Sequence, residues 1–478
     1  MRTIGHDIPH DLGVSQSIPS LSGAVEAVKR KQGDPALTSN YDAGTRDIAP
    51  PNDEAAAGAP KDYTLNSADA QELEIDVVGA QGDGHAAGPV FVPLTLPGER
   101  VRAQIQGERA EIIDLLRPSP ERVTPPCPHF GDCGGCALQH WAAAPYLAWK
   151  AEQIRLALGR VRIETDILPI FATPPGARRR LALHARRDGR QVRLGFKARK
   201  SWRLVDLDVC LIAQPQLVAA LPALRRLAGA FLEHPKSAPT LHVTWTETGL
   251  DVDVTGVERK SGGLSADARL RAAQAAEAAD MARVTLAGET IFQAREAVVR
   301  VGPALVALPP GAFLQAGPQA EAAMAAFAAA AVTGAGRVAD LFCGVGAFTF
   351  RLAQVASVHA ADASAPAIGA LIGALGSAPG LKAVTAEARD LTRRPLLAME
   401  MKKLDAVVFD PPRAGALEQA GEIARSKVAV AVGVSCNPAT FARDARVLVD
   451  AGFVLTEVKP VDQFLWSPHV ELVGVFRR

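Results

Sequence analysis

Residues 338–350 read VADLFCGVGAFTF. Val338–Leu341 has the apolar texture of a buried strand and carries Asp340 near its end. Gly344-Val345-Gly346 follows, and then a segment that reads as helix. Glycines between a strand and a helix let a ligand approach the backbone closely at the switch point of a doubly wound sheet. A dinucleotide site would want a third glycine where Thr349 stands. A second acid, Asp362, follows the next strand, where it can accept hydrogen bonds from ribose hydroxyls. Asp-x-x-x-Gly-x-Gly with a later acid points to S-adenosylmethionine rather than to a nicotinamide cofactor.

On both sides of this stretch the pattern is regular. The apolar segments RVADLF, VASVHAAD, LDAVVFD, KVAVAVGVS and VLTEVKPV alternate with helix-like segments rich in Ala, Leu, Glu and Arg. That is βαβ alternation, and it predicts a parallel sheet covered on both faces. One strand ends in Phe409-Asp410-Pro411-Pro412-Arg413, which sets a carboxylate at the crevice rim and stiffens the turn behind it. Another delivers Cys436, within Val434-Ser-Cys-Asn-Pro438, to the same rim. Thiolate is the best protein nucleophile near neutral pH. A lone cysteine reads first as a buried structural residue. Its company with Asp410 and the glycine turn at one sheet edge favours catalysis.

The rest of the chain divides by texture. Residues 1–66 are rich in Ser, Pro, Asp, Gly and Ala without periodicity and read as a disordered arm, with a short helix at Gly23–Lys31 as an option. Residues 67–122 hold short alternating segments separated by glycines, the pattern of a small OB-like β-barrel. Residues 123–308 read as a mixed α+β domain with a helix near Tyr146–Leu158, and 309–478 as the α/β domain that holds the glycine turn. Near the start of the central part stand Cys127, Cys133 and Cys136, with Cys210 far downstream, four of only six cysteines in 478 residues. In a reduced compartment, three clustered cysteines and a distant fourth read as a four-thiolate metal site. Zinc and iron–sulfur are the candidates. Paired C-x2-C knuckles, which favour zinc, are missing. A single tight loop with a lone fourth ligand favours a [4Fe–4S] cluster. Between Arg178 and Arg203 eleven residues are Arg or Lys and only Asp188 is acidic, with Phe196 and Trp202 interleaved. In a chain of net charge +1, such a stripe is a local phosphate-binding surface. The first twenty residues lack the apolar core of a signal peptide. The longest apolar run, Ala322–Val332, falls short of the roughly 20 residues of a membrane span. A cytoplasmic monomer without membrane contact is expected.

The ensemble resembles the RNA uracil-5 methyltransferase family, and most of all its iron–sulfur-containing branch acting on 23S ribosomal RNA. The likeness runs from about Glu72 to Arg478. The order is the same: a TRAM-type barrel, a C-x5-C-x2-C loop, a basic domain with the fourth cysteine, and a class I Rossmann-like methyltransferase. Phe313-Leu314-Gln315 is similar to the family's F-x-Q, whose glutamine lies against the cofactor. Phe342, Gly344 and Gly346 match the cofactor turn, Asp362 the ribose-binding acid, Asp390 an acid near the adenine, and Asp410 the D-P-P-R motif. Ser435-Cys436-Asn437-Pro438 matches the nucleophile motif, and Asp462-Gln-Phe-Leu465 with His469-Val-Glu471 the terminal motif. Two positions depart from the pattern: Ala347 replaces a frequent asparagine and Leu465 a proline.

The resemblance implies that Cys436 adds to uracil C6, that C5 takes a methyl group from S-adenosylmethionine, and that Glu471 removes the C5 proton. Ribosomal RNA is the expected partner ahead of transfer RNA, and the cluster is expected to be structural. A DNA cytosine enzyme would carry its cysteine in a P-C-Q context, which is absent. A non-catalytic iron–sulfur RNA-binding regulator would need neither Cys436 nor Glu471. A radical methyltransferase is disfavoured by the cysteine spacing.

Overall fold

The computed structural model describes residues 70–258 and 263–478. The arm expected over 1–66 and the short helix within it lie outside the described residues. Strands Ala70–Val78, Asp83–Ala86, Val90–Pro93, Arg100–Gln106 and Arg109–Arg117 close into a five-stranded barrel. Period-two alternation turns Ile75, Val92, Val101 and Ala103 inward to fill it. A seven-stranded sheet follows, running from Leu204–Asp206 at one edge to Glu289–Gln293 at the other. The helices Leu221–Ala230 and Ala266–Ala278 pack with it around Leu183, Leu194, Leu224, Val243 and Val252.

The C-terminal sheet has nine strands, eight of them in one linear order. Val384–Ala388, Ser357–Asp362, Arg337–Leu341, Ala406–Phe409 and Val430–Ser435 are mutually parallel, as the alternation predicts. Beyond them the expectation of a parallel sheet fails. Glu471–Arg477 inserts antiparallel beside Val430–Ser435, and Val454–Asp462 pairs antiparallel with it in turn. The reason is loop length. Only residues 463–470 join these last two strands, too few for the crossover that a parallel pair requires. A strand that reverses starts at the edge where its parallel neighbours end. That reversal brings the start of Glu471–Arg477 to the end of Val430–Ser435.

Residues 143–172, assigned to the central part on sequence texture, join this sheet. Helix Ala143–Arg160 packs Ile154, Ala157 and Leu158 into the same core as Phe409, Ile423 and Phe441. The short strands Asp166–Ile167 and Phe171–Ala172 pair with Val454–Asp462. The same helix also reaches the barrel, where the Trp149 indole donates to the Val78 carbonyl at 2.9 Å. Among the described residues no helix is long and apolar enough to cross a membrane.

Candidate active site

Strand Val430–Ser435 ends at the crevice and hands Cys436 to a tightly held turn. The Asn437 side chain accepts from the Ala439 N–H at 3.1 Å and caps helix Pro438–Asp450, with proline at the first helical position. Asn437 and Thr440 donate to the Arg413 carbonyl at 3.4 and 3.2 Å. The cysteine turn and the Asp-Pro-Pro-Arg turn are thereby laced together. Across the sheet, Ser435 pairs with Leu472. Cys436 at the end of one strand therefore lies beside Glu471 at the start of its antiparallel neighbour. Sequence periodicity could not reveal that pairing.

A chain of hydrogen bonds runs through the floor. The Gln315 amide donates to Asp410 Oδ2 at 2.9 Å. Gln463 donates to Gln315 Oε1 at 2.8 Å and to Glu471 Oε2 at 3.1 Å. Gln315, Gln463 and Glu471 are each at most 5% exposed. Three of these four residues were singled out from sequence. Gln463 was missed as a site residue, although it stands in the quoted terminal motif. Burial, helped by the nearby Asp410 charge and opposed by Gln463, pushes the Glu471 carboxyl up to about 8. Burial likewise raises Asp410 to about 7, against the Gln315 hydrogen bond. The Cys436 thiol is pushed up to about 12, by burial first and then by Glu471 and Asp410, with Arg413 opposing. Two carboxyls poised near neutrality beside a half-buried thiol have the chemistry that proton transfer and nucleophilic attack require.

The glycine turn opens onto the same edge. Phe342 has φ of 63° and Gly344 φ of 54°, both left-handed. A Cβ on Gly344 would meet nothing within 4 Å, so the space above it is free for a ligand. Gly346 is needed for another reason: a Cβ there would lie 2.6 Å from the Phe350 ring. Asp362 accepts from the Gly344 N–H at 2.9 Å and from the Ser364 N–H at 2.8 Å, tying the turn to the next strand. Asp340 is fully buried, and one oxygen accepts the Thr349 hydroxyl. Its other oxygen, Oδ1, has no hydrogen-bond partner. A buried acceptor left open at a crevice floor suits a ligand that brings a donor. Asp390 is half-buried and accepts from the Thr392 N–H at 3.1 Å.

Cys127, Cys133, Cys136 and Cys210 line one small cavity together with Phe130 and Phe196. Burial raises the Cys133 and Cys210 thiols and pushes Cys136 up to about 12. The Gly135 N–H points at the Cys133 sulfur, 3.4 Å away. Among the described residues no three His, Cys, Asp or Glu side chains are gathered as a site for a metal ion.

The basic stripe divides in two. Arg179 is 4% exposed, paired with Glu321, and donates to the Gln315 carbonyl at 3.1 Å. Arg180 donates to the Leu314 carbonyl at 3.0 Å. These two hold the Phe313-Leu-Gln315 segment in place. Arg186, Arg187 and Arg190 are exposed. Trp202 is 74% exposed with the Lys197 ammonium 3.8 Å from its ring centre, and Phe313 is 57% exposed beneath the Arg180 guanidinium.

Residues 305–478 match the family described as tRNA (Uracil-5-)-methyltransferase. A 23S rRNA (uracil(1939)-C(5))-methyltransferase of Alkalilimnicola ehrlichii is 32% identical over 438 residues, covering 85% of this chain and 97% of that protein. The chain belongs to the tRNA (uracil-5-)-methyltransferase family. It is an RNA methyltransferase. An uncharacterized RNA methyltransferase of Caulobacter vibrioides is 67% identical over 414 residues, covering 85% of this chain and all of that one. The Pyrococcus abyssi tRNA (uracil-54, C5)-methyltransferase, solved with S-adenosyl-L-homocysteine, shares the fold at a TM-score of 0.64 and 22% identity, over 85% of this chain and 100% of that one. Within this RNA methyltransferase, the stretch that matches the family holds Gln315, Asp410, Cys436, Gln463 and Glu471. The four clustered cysteines lie outside it.

Proposed function

We propose that this RNA methyltransferase forms 5-methyluridine in 23S ribosomal RNA, with Cys436 as a transient covalent nucleophile and Glu471 as the base. The observation that carries the reading is the placement of both residues at one end of an antiparallel strand pair. Uracil C5 is a poor nucleophile. Cys436 gives its proton to solvent, a loss that the Arg413 charge favours, and attacks C6 as the thiolate: the S–C6 bond forms and the C5=C6 pair moves toward the C4 carbonyl. C5 becomes carbanion-like. When bound, S-adenosylmethionine would supply the methyl group from its sulfonium, whose sulfur keeps the S–CH3 electron pair and leaves as a neutral thioether when C5 takes the methyl. Glu471 then accepts the C5 proton, C5=C6 re-forms, and Cys436 leaves. Covalent catalysis divides one hard step into easier ones. The uridine must leave its stack to reach Cys436, at a cost of a few kcal/mol.

The crevice fits the cofactor: the free space above Gly344 and the open Asp340 oxygen accept its amino-acid end, while Asp362 and Asp390 serve the nucleoside. The shared cavity of Cys127, Cys133, Cys136 and Cys210 fits a [4Fe–4S] cluster. A tight loop with one distant fourth cysteine favours a multi-iron core over zinc, and the role of that core is to staple the cysteine loop to the central domain. The RNA surface is the outward half of the basic stripe, with Trp202 and Phe313 as stacking platforms. Ribosomal RNA is favoured by the 32% identical relative matched over 97% of its length. The deciding assay supplies S-adenosylmethionine with separate ribosomal and transfer RNA transcripts and measures 5-methyluridine by mass spectrometry of the digested RNA. Product on ribosomal RNA is expected. Product on transfer RNA alone would reassign the substrate, and none on either would overturn the reading.

A further inference from the structure

The loop 463–470 carries Gln463 and leads into Glu471, and it is clamped from one side by residues 137–150. Lys150 is fully buried in helix Ala143–Arg160, ion-paired with the equally buried Asp462. Its ammonium also donates to the Phe464 carbonyl at 3.1 Å. The Tyr146 hydroxyl donates to Asp462, 2.9 Å from Oδ2, and accepts from the Trp466 N–H at 2.8 Å. The Trp466 carbonyl accepts from the Ala137 and Leu138 N–H groups at 2.8 and 3.0 Å. Leu465 packs against the cluster of Leu138, Trp141, Tyr146 and Trp149. Trp466 itself sits at φ of 58°. A bulky residue in that conformation persists only when its surroundings over-determine it, and such strain gathers at functional sites.

A buried lysine–aspartate pair is weak evidence for stability, because desolvation offsets most of the attraction. Its clearest use is to select one arrangement of the chain. Here the arrangement selected is that of the segment between Asp462 and Glu471. We propose that Lys150 and Tyr146 are positioning residues for the proton-abstraction step, acting through Asp462, the loop and Gln463 on Glu471. This rests on the reading of Glu471 as the base. Neither residue touches the reacting atoms.

The step they serve is the elimination. The C5–H bond breaks, its proton goes to Glu471, its electron pair re-forms C5=C6, and the C6–S pair returns to Cys436. A base held about 1 Å out of place slows this step and leaves the earlier addition and methyl transfer intact. The methylated covalent adduct then accumulates on ordinary uridine RNA. A variant that merely folds less well yields less adduct.

The full-length protein is tested as wild type, Tyr146→Phe, the charge-neutral pair Lys150→Met with Asp462→Asn, and Glu471→Gln. Each is mixed with S-adenosylmethionine and ordinary ribosomal RNA. Turnover, the fraction of denaturation-resistant protein–RNA complex, and RNA affinity in S-adenosylhomocysteine are measured. Tyr146→Phe keeps the core packing and guards against a double variant that does not fold. For both clamp variants we expect kcat to fall about tenfold or more, a several-fold rise in adduct, and RNA Kd within about twofold of wild type. Unchanged turnover in Tyr146→Phe, or turnover lost without added adduct, would overturn the positioning role. Should Glu471→Gln itself lose activity without adduct, the base assignment falls, and the inference with it.

Discussion

Replacing Glu471 by Gln separates what the carboxylate does for catalysis from what it does to stability. The side chain is 3% exposed, and its carboxyl titrates near 8 rather than 4.5. Its folded pKa is raised, so the native protein binds the proton more tightly than the unfolded chain does. Stability attributed to this group is therefore full below pH 4.5 and is lost as pH rises toward 8. A shift of that size corresponds to about 5 kcal/mol at pH 8 and above, and about 3 kcal/mol at pH 7. Glutamine has nearly the same shape and its amide oxygen can still accept from Gln463. The variant should melt several degrees higher at pH 8 and match the wild type at pH 4.5. Its turnover should fall by about 10²–10⁴-fold, the usual worth of a positioned base. Thermal melts across this pH range, paired with methyl-transfer rates at pH 8, provide the check. A variant less stable than wild type at pH 8, or one that retains turnover, would refute the argument that this carboxyl is a desolvated base.

Three further outcomes follow from the site. The kcat/KM of the wild type should rise between pH 6 and 8 as Glu471 ionises, and Asp410→Asn should move that rise to lower pH by removing the neighbouring charge. Cys136→Ser or Cys210→Ser should abolish a visible chromophore and bound iron and sulfide, about four of each in anaerobically prepared wild type. Reversing charge at Arg186, Arg187 and Arg190 should weaken RNA binding and flatten its salt dependence, while Trp202→Ala should weaken binding with the salt slope unchanged.

Much of the methyltransferase half was legible because its signals are local. The Gly344–Gly346 turn, the strand ends at Asp362 and Asp410, and the cysteine before Asn437-Pro438 each declare themselves within a dozen residues. The barrel was legible for the same reason, through alternation and glycine turns. What escaped was set by contacts across hundreds of positions. Nothing near Lys150 says that a helical lysine is buried against Asp462, some three hundred residues on. Nothing near Arg179 says that one arginine of a basic stripe turns inward to Glu321 and the Gln315 backbone. The antiparallel last strand could have been suspected from the short spacer between VLTEVKPV and the terminal motif. Read that way, it would have placed Glu471 beside Cys436.

The central claim is the covalent role of Cys436, and trapping tests it most directly. Ribosomal RNA transcribed with 5-fluorouridine would be incubated with the full-length protein and S-adenosylmethionine, then denatured and digested for peptide mass spectrometry. Fluorine at C5 cannot leave as a proton, so the account expects a stable adduct on the peptide containing Cys436, absent in Cys436→Ala. An adduct on another residue, or none from protein that methylates the unmodified RNA, would contradict it.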